Sequence, residues 1–207
     1  RITSNPAKFP GFRDAIEQAL ENGVTPCGVV TGLATFTHEE NGESVRGKKS
    51  KTKKQKTTYR VGLVVSNAEF QAGSFDMASC EKVCRLLDDC ARLKLPVIFF
   101  ISSAGMQTKE GGGSLFSMSI INERITRFVK DLDLPVLCFG FRDCTGGAQA
   151  SFVTHLLART YYFSGSQIPF AGQLVVESHL PAHSTLSNYL ATNPGTMDGL
   201  VKNPFDV

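Results

Sequence analysis

The chain has 207 residues, 42% of them hydrophobic, enough to bury one substantial core. It has no apolar run of the roughly 18 residues that a membrane-spanning helix needs, which excludes a helical membrane anchor within it. Its net charge of +3 is carried unevenly: Arg46, Lys48, Lys49, Lys51, Lys53, Lys54, Lys56 and Arg60 fall in one stretch without an acid, and the remainder holds 14 basic against 19 acidic residues, a net of −5. The body is therefore mildly acidic. The basic run has one aromatic residue, Tyr59, at its edge, so it reads as a solvated, disordered insert over 46–58 and not as a nucleic-acid surface.

The N-terminal "RITSNPAKFPGF" lacks the apolar stretch of a signal peptide, and a first residue of Arg1 points to a processed chain or a piece of a larger one. "FRDAIEQALENG" predicts an amphipathic helix with Phe12, Ile16, Ala19 and Leu20 on one face and a stop at Gly23. "CGVVTGLATF" and "YRVGLVVSNAEF", rich in β-branched and aromatic residues, predict two strands joined into a hairpin by the lysine-rich insert. Long insertions at such tips cost little closure entropy.

In the next segment, "SFDMASCEKVCRLLDDCARLKL", Met77, Cys80, Val83, Cys84, Leu87, Cys90 and Ala91 recur at helical spacing, with Ser74 as the expected N-cap. Pro96 marks the exit into strand "VIFFI". The small-residue stretch "SSAGMQTKEGGG" follows, then a helix with Leu115, Met118, Ile121, Ile125 and Phe128 along one face. Pro135 precedes strand "VLCFG". "FRDCTGGAQASFVTHLLA" then repeats the scheme of strand end, glycine pair and helix of small residues, and the tail opens with a short aromatic strand. Strands alternating with helices predict an α/β domain with parallel pairing, and the whole of 1–207 is expected to form one domain.

Few side chains offer themselves as catalysts. The six cysteines contain no C-x-x-C pair, and free thiols in a reducing cytosol are expected ahead of a zinc site. His155 sits in an apolar segment where a core histidine is expected. His179 and His183 are separated by Pro181, which argues against one helical face. Lys109 and Glu110 are expected to be solvated, with Glu110 and Glu123 as the remaining acid–base candidates. No nucleophile elbow or phosphate-binding loop is present.

The two glycine loops are the informative feature. At the carboxyl end of a parallel strand, amide groups are free before the next helix closes its own hydrogen bonds. Small residues at Ala104 and Gly105 let a ligand oxygen approach, and Gly146 and Gly147 repeat the arrangement one unit later, at a helix start. One N–H from each loop makes an oxyanion hole suited to a thioester carbonyl as it becomes an enolate. The competing reading is that these glycines serve only tight turns or close packing.

In this order, "EFQAGSFDMASCEKVCRLLDDCARLKLPVIFFISSAGMQTKEGGGSL", "TGGAQASF", "IPFAGQLVVE" and "GTMDGLV" resemble the β-type (N-terminal) half of biotin-dependent acyl-CoA carboxylases, over roughly residues 28–203. Ala104 stands where that family carries the first glycine of its Gly-Gly pair, and Gln107 where it carries arginine. The resemblance implies a crotonase-type (ClpP-like) fold of stacked ββα units. It implies backbone donors at Ala104, Gly105, Met106, Gly146 and Gly147. An acyl-CoA and biotin pocket is implied near Ser103, Gln107, Thr145 and Ala148, and near Phe170, Ala171 and Gly172.

The implied activity moves the carboxyl group of carboxybiotin to the α-carbon of an acyl-CoA, through an enolate held by backbone amides. The implied partners are an α-type carboxyltransferase half, a biotin carboxyl carrier and a biotin carboxylase, in a cytoplasmic hetero-oligomer or as part of a multidomain chain. No metal, nucleic acid or membrane is called for. The alternatives are another acyl-CoA enzyme of the same fold, such as a decarboxylase subunit or a hydratase/isomerase, and a non-catalytic scaffold half.

Overall fold

A computed structural model describes residues 4–40 and 55–168. The first helix, α1 (Pro10–Glu21), begins with proline at its first turn, where the missing N–H costs nothing. It ends at Asn22, with Gly23 left-handed (φ +70°) and Val24 N donating to Ala19 O at 2.8 Å. Phe12, Ala15 and Ala19 are buried and form a small cluster with Phe70. Leu20 does not share that face: it is 60% exposed, one position too far round the helix to reach Phe70.

β1 (Val29–Glu40) and β2 (Gln55–Ser66) form an antiparallel ladder from Val29↔Ser66 to Glu40↔Gln55. The expected insert is therefore shorter than 46–58 at its C-terminal end. Gln55–Thr58 belong to the ladder, where the Thr37 and Thr58 hydroxyls meet at 3.3 Å and the Phe36 and Tyr59 rings stack at 5.4 Å. Residues 46–54 of the insert lie outside the described residues.

α2 (Met77–Leu93) follows a tight turn at Gln71–Gly73. Asp76 caps it, accepting from Ser79 N at 2.7 Å, in place of the expected Ser74. Ser74 is unsuited because the chain is still extended there: Phe75 bridges Met106, and the helix starts only afterwards. β3 (Val97–Ser103), α3 (Gly112–Lys130), β4 (Val136–Cys144) and β5 (Arg159–Tyr162) complete the frame.

The sheet order is β1-β2-β3-β4-β5, antiparallel at the first pair and parallel at the rest. α2 and α3 supply the crossovers from β2 to β3 and from β3 to β4, and the segment holding the second glycine pair makes the crossover from β4 to β5. The core lies between them and one sheet face: Val83, Leu87 and Cys90 of α2 and Ile121, Ile125 and Phe128 of α3 meet Val97, Phe99 and Ile101 of β3 and Val136 and Cys138 of β4. Full burial of each such side chain contributes about 1.5–3 kcal/mol. Leu115, expected on that face of α3, is 55% exposed. The alternate residues of the strands form a second row in register, Val30, Val65, Phe100, Phe139 and Tyr161, with the last three rings stacked at 5.2 and 5.4 Å.

The helix predicted after the second glycine pair is short. α4 (Gly146–Ala148) widens into a π turn over Gln149–Val153 and stops. Thr154 Oγ1 donates to Gln149 O at 2.7 Å, capturing a carbonyl that a continuing helix would use. His155 consequently lies beyond the helix. Its Nδ1 accepts from Leu157 N at 3.2 Å, and its Nε2 is 3.0 Å from Thr126 Oγ1. Among the described residues no helix is long and apolar enough to cross a membrane.

Candidate active site between two strand-end loops

β3 and β4 are neighbours, so the loops leaving their carboxyl ends emerge side by side. In the first loop Ser103 is 1% exposed. Its hydroxyl accepts from Gly105 N at 3.1 Å and donates to Gly105 O at 3.2 Å. Ala104 N donates to Ala72 O at 3.0 Å. That carbonyl is delivered by three successive left-handed residues, Gln71, Ala72 and Gly73 (φ 49°, 51° and 66°). The amides of Ala104 and Gly105, expected as ligand donors, are thus engaged within the protein. Ser103 shapes the loop and does not line a pocket.

Met106 is placed differently. Phe75 N donates to Gly105 O at 2.9 Å and Gln107 N donates to Phe75 O at 2.8 Å, the pattern of a parallel bridge. The residue between those two bonds directs its own N–H and C=O to the opposite side, where the second loop stands. Met106 N–H has no acceptor among the described residues.

The second loop is tied to the first by Thr145 N donating to Ser103 O at 2.8 Å. A Cβ on Gly146 (φ +59°) would lie 3.2 Å from Ala104 O, and a Cβ on Gly105 (φ +107°) would lie 3.1 Å from Gly147 N. The backbones therefore touch, and both glycines are required by conformation as well as by space. A Cβ on Gly147 would meet Met118 Sδ at 2.6 Å and Met106 Cγ at 2.7 Å. The amides of Gly146 and Gly147 also lack acceptors among the described residues. What the two loops bring together is a set of three open N–H donors, at Met106, Gly146 and Gly147, beside two thioethers. Such a set suits an oxygen that gains negative charge.

Other expected site residues serve elsewhere. Gln107 is 4% exposed; its Nε2 donates to Ser74 Oγ at 3.0 Å and its Oε1 accepts from Lys109 N at 3.2 Å. Both ends of the side chain are engaged within the protein, and they fix the turn after the loop. Ala148 is fully buried in the core, and Thr145, 9% exposed, acts through its backbone. Lys109 Nζ reaches Gln71 Oε1 at 3.3 Å. Glu123 lies on the exposed side of α3, paired with Arg127, away from both loops. Phe170, Ala171, Gly172, His179 and His183 lie outside the described residues.

Glu110 is the largest departure from expectation: it is 1% exposed, not solvated. Its Oε2 accepts from Met77 N at 2.7 Å, its Oε1 has no partner among the described residues, and burial, with Asp76 nearby, raises its pKa above the ordinary carboxylate value. The sequence signal available for it was the position three residues after Gln107, one turn from the loop. Ala72 and Met118 were missed as well, because neither residue type carries a functional signature. Among the described residues no group of three or more His, Cys, Asp or Glu side chains is placed to hold a metal ion.

A mixed five-stranded sheet with crossover helices, and with paired glycine loops at the ends of adjacent parallel strands, is the crotonase-like type of α/β fold. Solved structures agree. The chain is similar to transcarboxylase 12S, solved with methylmalonyl-coenzyme A and methylmalonic acid bound (TM-score 0.56, 15% identity, 70% of this chain and 30% of that one). It is also similar to the Pseudomonas malonate decarboxylase MdcD-MdcE hetero-dimer (TM-score 0.56, 17% identity, 70% of this chain and 62% of that one). The chain thus spans less than two thirds of either relative. No protein-family model matches the sequence.

Proposed function

We propose that the chain is the β-type half of a carboxyltransferase that acts on an acyl-CoA. The amides of Met106 and Gly147 hold the thioester oxygen while charge develops on it. The observation that carries this is the contact of the two loops, with N–H donors on each side that have no acceptor among the described residues. Carboxybiotin, carried by a partner, supplies the carboxyl group. The chain's own part is to bind the thioester, to fix its oxygen against two amides and to stabilise the enolate. Three partners complete the proposal: an α-type half, a biotin carboxyl carrier and a biotin carboxylase. The thioether side chains of Met106 and Met118 give the donors an apolar surround, which strengthens a hydrogen bond to an anion.

A second reading, a decarboxylase subunit, is favoured by the likeness to malonate decarboxylase. It uses the same donors on the same type of enolate, with release of carbon dioxide in place of its capture.

The test compares Gly147→Ala with Gly147→Pro in a complex reconstituted with an α-type half, free biotin and malonyl-CoA, read in the reverse direction as acetyl-CoA formed when the carboxyl group passes to biotin. Both variants carry a Cβ toward the thioethers, and proline in addition replaces the N–H by a ring carbon on the nitrogen. Proline is expected to be slower than alanine by roughly 10²–10³-fold. Equal rates remove Gly147 from the site. A complex that assembles but shows no calorimetric binding of methylmalonyl-CoA replaces the proposal with the scaffold reading.

A further inference from the structure

The segment 74–77 and the segment 105–110 are zipped together by four hydrogen bonds. Two are the backbone bonds of Phe75 to Gly105 and Gln107. The third runs from Gln107 Nε2 to Ser74 Oγ, and the fourth from Met77 N to Glu110 Oε2 at 2.7 Å. Only the fourth is made by an ionisable group. It closes the far end of the zipper, and it uses one of the first amides of α2, which has no partner inside the helix. Glu110 is 1% exposed, as is Asp76 beside it, and each has one oxygen without a partner among the described residues, Glu110 Oε1 and Asp76 Oδ2.

We propose that Glu110 is a positioning residue for the proposed site: its carboxyl group clamps the first loop to the start of α2 and so holds the Met106 amide aimed at Gly147. The chain of contact is short. Glu110 ends the single turn Thr108–Glu110 that follows Gln107, and Gln107 N is one of the two bonds that orient Met106. A proton on the carboxyl is favoured by burial first and by Asp76 second, against the bond from Met77. Asp76 is the acidic side chain facing it. Lys109, its neighbour in sequence, turns away to Gln71.

This inference rests on the reading of Met106 as a donor, but the clamp is measurable without turnover. Glu110→Gln keeps an oxygen to accept from Met77 N and cannot ionise; Glu110→Ala removes the acceptor. Hydrogen exchange of the full chain is followed at Met77 and across 104–107, with methylmalonyl-CoA binding and melting temperature recorded against pH. In Glu110→Ala the exchange of these amides is expected to rise about tenfold and thioester affinity to fall about tenfold, with Glu110→Gln within about twofold of wild type. The sign of the pH effect on stability follows from a folded-state pKa raised above the unfolded one: the wild type loses stability as pH rises through the raised pKa, and Glu110→Gln shows a flat profile there.

Unchanged exchange in Glu110→Ala, or a Glu110→Gln variant as impaired as Glu110→Ala, overturns the clamp. A Glu110→Gln profile parallel to that of the wild type places the titration on another group and overturns the assignment of the pH effect to Glu110. A wild type that binds no thioester, with the exchange effect intact, overturns the proposed function and leaves the clamp standing.

Discussion

Gly105 and Gly147, 42 positions apart in sequence, are so close that a β-carbon on the first would stand 3.1 Å from the amide nitrogen of the second. Gly105 also adopts φ +107°, a backbone conformation that side chains of L-residues rarely tolerate. Gly105→Ala is expected to destabilise the fold by about 1–3 kcal/mol, read as a lower urea midpoint at an unchanged slope. A variant as stable as wild type would show that the loops separate at little cost.

Gly62, in the middle of β2, is pressed by α2. A β-carbon there would meet Cys90 Sγ at 2.4 Å and Val97 Cγ2 at 3.1 Å. Gly62→Ala is expected to cost about 1–3 kcal/mol by overpacking, and Cys90→Ala in the same chain to recover part of it. Strict additivity of the two changes in equilibrium unfolding would contradict this contact.

All six cysteines are buried and none is in a disulfide. Burial pushes the Cys90 thiol up to about 11 and the Cys138 and Cys144 thiols up to about 12. Since the thiolate is the reactive form, these three are expected to resist an aromatic disulfide reagent at pH 8 in the native protein and to react at once in denaturant. Rapid labelling of Cys138 without denaturant would show the sheet to be open at that point.

His155 accepts from Leu157 N through Nδ1, so that nitrogen carries no proton, and burial lowers the pKa of the ring. A folded-state value below the unfolded one means that the unfolded chain takes up the proton first. Stability is expected to decline as pH falls through the ordinary histidine range, near 6.5. His155→Gln should flatten a melting-temperature profile between about pH 7.5 and 5.5. An unchanged slope would assign the loss to other groups.

The elements were legible because their signals are local. Met77 to Ala91 repeats at helical spacing, the β-branched runs of β1 and β2 alternate, and Pro96 and Pro135 stand before β3 and β4. The ends of elements were not. Ser74 and Asp76 are both good caps in isolation, and the choice between them depends on Phe75 pairing with Met106. The helix after Gly147 stops where the Thr154 side chain captures a carbonyl, a competition that composition does not resolve.

What the sequence by itself determined is the alternation of strands and helices and the presence of a glycine loop after each of two strands. Both depend on residue type and spacing within a few positions, and chain sterics enforce them locally. Which amides in those loops stay open was decided only by tertiary structure. A donor is free or engaged according to the acceptor that stands opposite it, and for Ala104 that acceptor is Ala72, 32 residues away. The same holds for Glu110, whose burial depends on α2 and the first loop closing over it from two separate parts of the chain.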